Sequence, residues 1–495
     1  MVDHLELSIK KRITMLQGSN FLFARTKILC TLGPATSDKN IIAQMIRAGM
    51  DGVRLNFSHG SHEFFDNLFF NIHEACVNES TSLAVLADLQ GPKIRIGNLS
   101  VPEIEIKTGD TIRITIEDLD GTDKILSTSY KLLVNDAKIG DLILIDDGLI
   151  KLRVIEKEST AVVCEILNGG TVKPKKGMNL PGMKLSTPSV TETDLKNLEY
   201  IFIKHRVDFV ALSFVRSADD ITNLRKWMKD KGFSAPIISK IEMKEAVSNF
   251  ESILKVSDGI MVARGDLGVE LEPQEVPLIQ KNIIKRCNAT GKLVITATQM
   301  LESMVHNPIP TRAEASDVAN AVWDGTDVVM LSAETSVGKF PVKTVETMNQ
   351  IVRSAGAHAY WTRHIDFDMT KNFEDKLFDS VNKGIVQMSR EVDAAAIVVF
   401  TENGRTARKL SKYRPNARII AISDRFDTMN NLCLYWGVSS MFMPDLDRDS
   451  EELISEATDI ILKIGHVKKG DVVIYTSGAP ISEKGRTNKL KIFVI

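Results

Sequence analysis

The sequence is poor in the features that mark charge-driven or membrane proteins. Its 62 Lys and Arg residues nearly balance 64 Asp and Glu, for a formal net charge of −2. That balance argues against nucleic acid or another partner bound through overall charge. Aromatic residues make up only 6% of the chain, so sites built on stacked bases or sugars find little support. Because no apolar run reaches about 18 residues, we expect no membrane span.

Cysteine is also scarce, and its spacing excludes two kinds of site. The five cysteines stand far apart without a CxxC pair, so we expect neither a disulfide framework nor a zinc site. The first 17 residues mix charges throughout and lack the apolar core of a signal peptide. We therefore expect a cytoplasmic protein with reduced thiols. The cysteines are Cys30, Cys76, Cys164, Cys287 and Cys433.

What the sequence does contain is a regular alternation of short apolar runs and helical patterns. The chain of 495 residues is 43% hydrophobic and 25% charged, which is typical of a soluble globular protein with roughly three domains. Strand-like runs alternate with helical patterns before about residue 91 and again after about residue 188, as in a parallel sheet. Three such units precede the interruption and five follow it, which is the count of a TIM barrel.

The interruption itself has a different pattern. Its segments alternate apolar and polar residues between Gly and Asp turns, so we predict an all-β insert. The predicted fold is therefore α/β: a (β/α)8 TIM barrel with an inserted all-β domain and a C-terminal α/β domain. The predicted divisions are an N-terminal extension at 1–24, the barrel at 25–91 and 189–354, the insert at 92–188 and the C-terminal domain at 355–495.

Polar side chains follow all but the first of the eight predicted barrel strands. The C-terminal ends of the strands form the active site of a TIM barrel. Any one polar residue at a strand exit is more simply structural, but their convergence at one end of the barrel favours a site. The candidates are Arg54, Asn56, Ser58, Asp88, Ser213, Arg216, Lys240, Glu242, Arg264, Asp266, Thr298, Gln299, Ser332 and Glu334.

Because these candidates include both acidic and basic side chains, they indicate a site that binds a metal ion and an anionic substrate. Glu242 and Asp266 follow adjacent strands and could share Mg²⁺, which takes one or two carboxylates; the alternative is a pair of surface acids or salt-bridge partners. Arg54, Lys240 and Arg264 would then form a cationic wall for a phosphoryl or enolate substrate. The sequence has no Walker A motif and no protein-kinase signature, so phosphoryl transfer here would not use a P-loop.

Six collinear segments resemble the pyruvate kinase family. The resemblance as a whole covers the chain from about Arg25 to the C-terminus. The resemblance implies a barrel with an inserted β-barrel lid and a C-terminal regulatory domain, assembled as a homotetramer. It also implies the last step of glycolysis, in which phosphoenolpyruvate phosphorylates ADP to give ATP and pyruvate. The segments are Lys27–Thr36 (KILCTLGPAT), Val53–Gly60 (VRLNFSHG), Ile238–Glu242 (ISKIE), Gly259–Gly268 (GIMVARGDLG), Ala297–Met304 (ATQMLESM) and Met330–Thr335 (MLSAET).

The same resemblance implies a role for each matching residue. Glu242 and Asp266 would hold Mg²⁺ or Mn²⁺, Lys240 would stabilise the transferring phosphoryl group, and Arg54 would bind the phosphate. Further substrate contacts are implied for Ser213, Arg264, Gly265, Asp266 and Thr298. Protonation of enolpyruvate through water is implied near Thr298, Ser332 and Glu334. Closure of the lid would complete the nucleotide contacts, which are Asn56, Phe57, Ser58, His59, Arg95 and Lys176.

One departure from the best-known family pattern concerns K⁺. Many members hold K⁺ through counterparts of Asn56, Ser58, Asp88 and Leu89, and carry Thr-Lys-Gly-Pro-Glu after that aspartate. This sequence reads Leu-Gln-Gly-Pro-Lys at 89–93, which resembles the branch that works without K⁺. The ammonium of Lys93 could replace the cation; the alternative is an exposed lid lysine. We expect K⁺ not to be required.

A loop in the C-terminal domain is a candidate effector site. It follows a predicted strand, and its hydroxyls, glycine and helix N-terminus suit a phosphate. The family binds sugar-phosphate activators at the matching loop, but Asn403 replaces the usual Ser, and the second loop, at 477–488, also differs. A sugar-phosphate or nucleotide effector and an ordinary turn both stay open. The candidate residues are Thr401, Asn403, Gly404, Arg405 and Thr406.

Two rival functions share much of this pattern. An inactive, pyruvate-kinase-like scaffold would keep the fold, but all the charged motif positions are intact here. A barrel lyase or aldolase acting on phosphoenolpyruvate or pyruvate would also need Mg²⁺ and carboxylates, but such enzymes lack the inserted lid and the nucleotide contacts. Formation of ATP from phosphoenolpyruvate and ADP distinguishes these alternatives.

Overall fold

A computed structural model describes residues 23–358, 373–478 and 487–495. The first 22 residues of the predicted N-terminal extension lie outside the described residues, as do positions 479–486 of the second candidate effector loop. Within the described ranges, no helix is both long enough and apolar enough to cross a membrane.

The chain opens with three β-strands joined by helices. Asp38 caps the first helix by accepting the amides of Asn40 and Ile41, and Gly49 ends it at φ +115°, as the sequence pattern predicts. The elements are β1 (Lys27–Thr31), a 3-10 turn (Pro34–Thr36), α1 (Lys39–Ala48), β2 (Gly52–Asn56), α2 (His62–Asn78) and β3 (Ala84–Asp88).

The insert between β3 and the next helix is built from short strands around its own apolar core. A six-stranded sheet has the order β11-β7-β8-β9-β5-β6, beside the two-stranded sheet β10-β4. Bridges from Arg95 to Gly177 and from Ile96 to Thr128 join its two edges, so the sheet closes. The elements are β4 (Ile104–Ile106), β5 (Thr111–Thr115), β6 (Ile125–Ser127), α3 (Leu133–Asp136), β7 (Leu142–Ile145), β8 (Ile150–Lys157), β9 (Ala161–Asn168), β10 (Gly170–Val172) and β11 (Met178–Asn179).

Five further βα units complete the barrel. Its eight strands close in the order β1-β16-β15-β14-β13-β12-β3-β2, all parallel, which confirms the predicted TIM barrel. The elements are α4 (Glu192–Lys204), β12 (Phe209–Leu212), α5 (Ala218–Asp230), β13 (Ile237–Ile241), α6 (Lys244–Ser248), α7 (Phe250–Val256), β14 (Gly259–Ala263), α8 (Arg264–Glu270), α9 (Val276–Thr290), β15 (Leu293–Ala297), a 3-10 turn (Glu302–Val305), α10 (Arg312–Asp324), β16 (Val328–Leu331), α11 (Ala333–Ser336) and α12 (Pro341–Ala357).

The C-terminal domain is a five-stranded sheet with apolar clusters on both faces. Its order is β19-β18-β17-β20-β21, with only the last pair antiparallel. Apolar runs in the sequence predict four of these strands, at 396–400, 418–422, 471–475 and 490–495, but not β19. The elements are α13 (Phe373–Glu391), β17 (Ala396–Phe400), α14 (Arg405–Lys412), β18 (Arg418–Ser423), α15 (Phe426–Leu432), β19 (Val438–Phe442), α16 (Ser450–Lys463), β20 (Val472–Gly478) and β21 (Thr487–Val494). The three-domain fold is thus confirmed; the residue boundaries stay a prediction.

A buried ion pair joins the C-terminal domain to the barrel. Arg414 Nη2 lies 2.6 Å from Asp327 Oδ1 and donates to Asn288 Oδ1 at 2.8 Å. The guanidinium also lies 4.8 Å from the ring centroid of Trp436. Both charged side chains are nearly excluded from water, so each depends on the other for its charge to be compensated.

Candidate active site

Lys240 is the centre of a charged cluster at the C-terminal ends of β3, β12 and β13. Its Nζ lies 2.7 Å from Glu242 Oε1 and 3.4 Å from Asp88 Oδ1, and donates to Ser213 Oγ at 2.8 Å. Burial alone would lower the pKa of Lys240, but Asp88 and Glu242 outweigh burial and raise the pKa above its usual value. Lys240 is therefore a fixed cation at the barrel mouth.

Arg54 stands beside this cluster and shares Asp88 with Lys240. Its Nε lies 2.6 Å from Asp88 Oδ2, and its Nη1 donates to Thr31 Oγ1 at 3.0 Å. Burial would raise the pKa of Asp88, yet Lys240 and Arg54 together hold it below its ordinary value. Both oxygens of this ionised carboxylate are thus bonded to cations. Thr31, at the end of β1, is a site residue that the sequence analysis missed.

Glu242 and Asp266 supply the two carboxylates expected at a metal site. Glu242 is 2% exposed, and its Oε2 accepts the Phe214 amide at 2.8 Å. Burial raises the pKa of Glu242, and Asp266, in the first turn of α8, adds to the rise by repulsion, while Lys240 opposes it.

This donor set fits a hard divalent cation. Two acids that repel each other in a buried cleft would both be stabilised by a cation between them. Within the described ranges, no group of three or more His, Cys, Asp or Glu side chains is arranged to hold a metal. A cation bound to Glu242 and Asp266 would therefore take its other ligands from substrate oxygens and water, as Mg²⁺ commonly does.

Arg264 is placed differently from the expected cationic wall. Its side chain is 10% exposed and pairs with Asp317 at 2.7 Å, while Nη2 donates to the carbonyls of Thr298 at 2.7 Å and Gln299 at 3.1 Å. Thr298 and Gln299 have φ values of +67° and +53°, a strained conformation for residues other than glycine. Arg264 therefore supports the turn after β15 instead of facing the cleft, and the cationic wall prediction is corrected for this residue.

The turn that Arg264 supports presents Thr298 to the first turn of α8. Thr298 Oγ1 accepts the amide of Gly265 at 2.7 Å and donates to the carbonyl of Ala297 at 2.6 Å. The hydroxyl thus covers the amide of Gly265, a residue expected to contact the substrate. A substrate binding there would have to take the Gly265 amide from Thr298.

Ser332 and Glu334 follow β16, and their side chains differ in the hydrogen bonds that they form. Glu334 is fully buried, and its carboxylate accepts the amides of Leu301 at 3.2 Å and Ser332 at 2.6 Å. The hydroxyl oxygen of Ser332 is buried without a hydrogen-bond partner among the described residues. Glu334 therefore fixes the loops around the site, and Ser332 is the group left available for a water or substrate atom.

The insert brings further cations to the barrel mouth. Lys93 is an exposed residue, yet partial burial of its ammonium and repulsion from Arg95 lower its pKa, with Asp266 acting in the opposite direction. The pKa of His59 is lowered by burial and then by Lys93, Arg95 and Arg54. Lid and barrel charges therefore influence one another across the cleft.

Two family models match the chain, one for the pyruvate kinase barrel domain over residues 23–345 and one for the pyruvate kinase alpha/beta domain over residues 379–493. The chain belongs to the pyruvate kinase family. The pyruvate kinase of Geobacillus stearothermophilus is 44% identical over 474 residues, covering 95% of this chain and 80% of that relative. The Staphylococcus aureus enzyme is 42% identical over 473 residues, with the same coverage of each. A crystal structure of a pyruvate kinase from Cryptosporidium parvum matches with a TM-score of 0.89 at 36% identity, over 98% of this chain and 97% of that one.

Membership of the pyruvate kinase family makes this protein a kinase that transfers a phosphoryl group. Besides Thr31, two further residues were not predicted from the sequence: Asp317, the partner of Arg264, and Asp194, a fully buried acid at the start of α4. The signal for Asp194 was present, because Thr191 and Asp194 have the spacing of a capping box, which the structure contains.

The candidate effector loop forms a compact turn before α14. Thr401 Oγ1 accepts the Gly404 amide at 3.0 Å, and Asn403 Oδ1 accepts the Arg405 amide at 3.1 Å. Gly404 has φ +74° and is the N-cap of α14. A cavity of about 380 Å³ lies against the ends of β17 and β20, where Phe400, the residue before this loop, forms part of its lining. Its lining includes Phe400, Ser450, Tyr475, Ser477, Lys489 and Lys491.

Proposed function

We propose that this protein transfers the phosphoryl group of phosphoenolpyruvate to ADP, giving ATP and pyruvate. The observation that carries the proposal is the buried Lys240 ammonium, held by Asp88, Glu242 and Ser213 at the barrel mouth with Arg54 beside it. A fixed cation in a site shielded from water is what stabilises charge on a phosphoryl group in flight.

The substrate phosphate would bind between Arg54 and Lys240. The guanidinium of Arg54 is oriented by Asp88 and Thr31, so its position is fixed before the substrate arrives. The substrate carboxylate would bind at the N-terminus of α8, where the amides of Gly265 and Asp266 are not needed for hydrogen bonds within the helix. Thr298 would then release the Gly265 amide and donate its own hydroxyl hydrogen to the carboxylate.

Glu242 and Asp266 would hold the divalent cation, Mg²⁺ or Mn²⁺. When bound, such a cation supplies positive charge that polarises phosphoryl and enolate oxygens. Phe214 keeps Glu242 in place through its amide, and Lys240 holds the other oxygen of that carboxylate. We assign Ser213 a supporting role, since its hydroxyl accepts from Lys240 and donates to the Leu89 carbonyl at 2.7 Å.

The second half of the reaction is protonation of enolpyruvate at carbon. Thr298 and Ser332 are the two hydroxyls at the appropriate strand ends, and we propose that they direct a water molecule to that carbon. Glu334 would position Ser332 and the loop at Leu301 through its two backbone hydrogen bonds. Because both Glu334 oxygens are occupied, we assign it no direct proton transfer.

ADP would bind where the lid meets the barrel. The lid contributes Arg95 and Lys176, and Lys176 is paired with Asp146 at 2.9 Å. On the barrel side, Asn56 organises the loop after β2 by accepting the Ser58 amide at 3.1 Å. That loop also carries Phe57 and His59. Closure of the lid over the nucleotide would exclude water from the phosphoryl group.

A coupled assay tests the reaction. Purified protein with Mg²⁺, phosphoenolpyruvate and ADP should form pyruvate, read through lactate dehydrogenase and NADH, and equimolar ATP, read with luciferase. Lys240→Met should reduce kcat by at least about 100-fold, since one preorganised cation is lost. Pyruvate without ATP would point to a phosphatase or lyase, and absence of both products would favour a scaffold.

We also propose that the enzyme works without K⁺. Asp88, which would help to bind K⁺, already has both carboxylate oxygens bonded to cationic side chains. The charge of Lys93 acts on the same cleft, since Asp266, Lys240 and Arg54 all influence its pKa. Rates in Na⁺, in K⁺ and in a buffer with neither should agree within about twofold. A strong requirement for K⁺ would refute this proposal.

Regulation through the C-terminal domain is proposed on the cavity beside residues 401–406. The cavity is lined by Lys489 and Lys491 and by Phe400, the residue before the candidate loop, so a phosphate bound there could meet lysine charge next to that loop. Fructose 1,6-bisphosphate, glucose 6-phosphate and AMP should be tested against the substrate curve for phosphoenolpyruvate. Unchanged curves with all three would indicate an unregulated enzyme.

Cellular location and assembly complete the proposal. We propose a cytoplasmic homotetramer that binds small metabolites, with neither nucleic acid nor a membrane as partner. Light scattering after size-exclusion chromatography should give a mass near four times the 54.9 kDa of one chain.

A further inference from the structure

Two stretches of chain connect the barrel to the lid, and both lie next to one buried carboxylate. We call them the outgoing hinge, residues 89–93 after β3, and the returning hinge, residues 185–191 before α4. Asp194 occupies the first turn of α4 and has no exposed surface. Its side chain therefore lies where the two hinges enter the barrel.

Asp194 bonds to both hinges at once. Its Oδ1 accepts the amide of Gln90 at 2.8 Å, and its Oδ2 accepts the amide of Gly91 at 3.2 Å. On the returning hinge, Oδ2 accepts the Thr191 amide at 3.0 Å and hydroxyl at 2.6 Å. A capping box requires only the Thr191 contacts. The contacts to Gln90 and Gly91 are not part of a capping box, and they join residues that are about 100 positions apart in the sequence.

Phe214 fills the space between the hinges. A Cβ on Gly91, which has φ +68°, would lie 2.6 Å from the Phe214 ring. The Phe214 carbonyl accepts the Ser189 hydroxyl of the returning hinge at 3.0 Å. Its amide donates to Glu242. The hinges, the ring and a metal-site carboxylate therefore pack as one unit.

The returning hinge is supported from the barrel by Arg216. Its Nη1 donates to the Leu185 carbonyl at 2.5 Å, and its Nη2 donates to the Thr187 carbonyl at 2.8 Å. Arg216 is in turn held near Asp220. Only Asp194 contacts the outgoing hinge through a side-chain carboxylate among the described residues, so the outgoing hinge depends on it most.

We propose that Asp194 is a positioning residue that fixes the backbone of both hinges and so sets the orientation of the lid over the barrel mouth. Gly91 is two residues before Lys93 and four before Arg95, so a small backbone rotation at Gln90 or Gly91 displaces both lid cations. The kinetic consequence rests on the proposed function, because Arg95 is expected to contact ADP.

Asp194→Asn tests the proposal. The amide retains one acceptor oxygen and directs N–H groups toward backbone N–H groups at the other position, so the contact with Gln90 or the contact with Gly91 is lost. Hydrogen exchange followed by mass spectrometry should show peptides covering Gln90 and Gly91 exchanging about 10- to 100-fold faster, as expected for loss of hydrogen bonds to a charged acceptor. KM for ADP should rise at least about threefold, and KM for phosphoenolpyruvate should change by less than about twofold.

Two variants separate hinge positioning from simple helix capping. Thr191→Val removes the cap hydroxyl but leaves the Asp194 bonds to Gln90 and Gly91. Glu314→Gln alters the equivalent acid of another capping box, formed with Thr311 at the start of α10. Both should lower the thermal midpoint as Asp194→Asn does, while exchange at Gln90 and Gly91 and the KM for ADP stay near wild type.

Each result decides a separate question. Unchanged exchange at Gln90 and Gly91 in Asp194→Asn, or an equal rise of KM for ADP in Thr191→Val, would overturn the hinge role. If Asp194→Asn does not fold, Asp194→Glu, which keeps the charge but displaces it, should show an intermediate exchange rate, and wild-type exchange there would overturn the role. Failure of the wild type to phosphorylate ADP would refute the proposed function while leaving the exchange result interpretable.

Discussion

Replacing Glu270 with Gln should make the stability of the barrel less sensitive to pH. Glu270 closes α8, four residues after Asp266, and receives a hydrogen bond from the Gly182 amide of the lid. Its Oε2 is buried and has no hydrogen-bond partner among the described residues. Burial raises the pKa of this carboxyl from 4.5 to about 7, and Asp266 adds to the rise by repulsion.

The size and sign of the effect follow from that pKa. The folded protein binds the Glu270 proton more tightly than the unfolded chain does, so the free energy of unfolding falls as pH rises from about 4.5 to about 7. A pKa shift of this size corresponds to a change of about 3 kcal/mol at most in the free energy of unfolding. Because the side chain keeps some contact with water, we expect about 2 kcal/mol. Glu270→Gln lacks the titration and should be more stable than wild type above pH 7 by that amount, and equal to it near pH 4.5.

Thermal melts at pH 5 and pH 8 in EDTA measure this difference without a bound divalent cation. At pH 8 the midpoint of Glu270→Gln should exceed that of wild type by roughly 4 °C, and at pH 5 the difference should be less than half as large. Glu272→Gln, at an exposed position beyond the same helix, should show no such pH dependence. An equal difference between Glu270→Gln and wild type at both pH values would refute the reasoning.

Four further substitutions test the hinge, the cation replacement and the domain interface. Gly91→Ala should lower kcat/KM in the coupled assay, because alanine at φ +68° costs about 1–2 kcal/mol and its Cβ would meet the Phe214 ring; wild-type kinetics would contradict this. Lys93→Glu should make the rate rise with added K⁺ and not with Na⁺, and an equal response to both ions would contradict it. Arg414→Met should lower the free energy of unfolding by about 3–5 kcal/mol, since Asp327 is left buried and unpaired. Adding Asp327→Asn should recover part of that loss in urea denaturation, and no recovery would show that the pair is not the cause.

The barrel and the identity of its site residues could be predicted because both depend on local patterns. Eight apolar runs, each followed by a helical pattern, indicate parallel strands, and the polar residues that follow seven of them must reach the same end of the barrel. Lys240, Glu242 and Asp88 were found in this way, and the structure brings them into contact. The strand β19 was missed because its five residues, Val438–Phe442, include two serines and give only a weak apolar pattern.

What could not be predicted were the directions and the distant partners of side chains. Lys240 lies near the end of one barrel strand and Arg264 directly follows another. The guanidinium of Arg264 nevertheless turns to Asp317, 53 residues later in the chain. No spacing in the sequence encodes that pairing. Asp194 likewise has a local signal, the capping box, that accounts for one of its roles. Its contact with Gln90, 104 residues earlier, arises only when the two hinges come together.

The charge at the barrel mouth explains why a nearly neutral chain can still bind an anionic substrate. Two cations, Arg54 and Lys240, face three acids, Asp88, Glu242 and Asp266, so the ionised cluster alone carries a net charge of −1. A ligand bearing a phosphate and a carboxylate would be repelled by that excess. A divalent cation on Glu242 and Asp266 would reverse the sign, and the lid cations would then act in the same direction. The surplus acid in the cluster is thus the feature that couples substrate binding to a metal, and the overall charge of the chain does not reveal it.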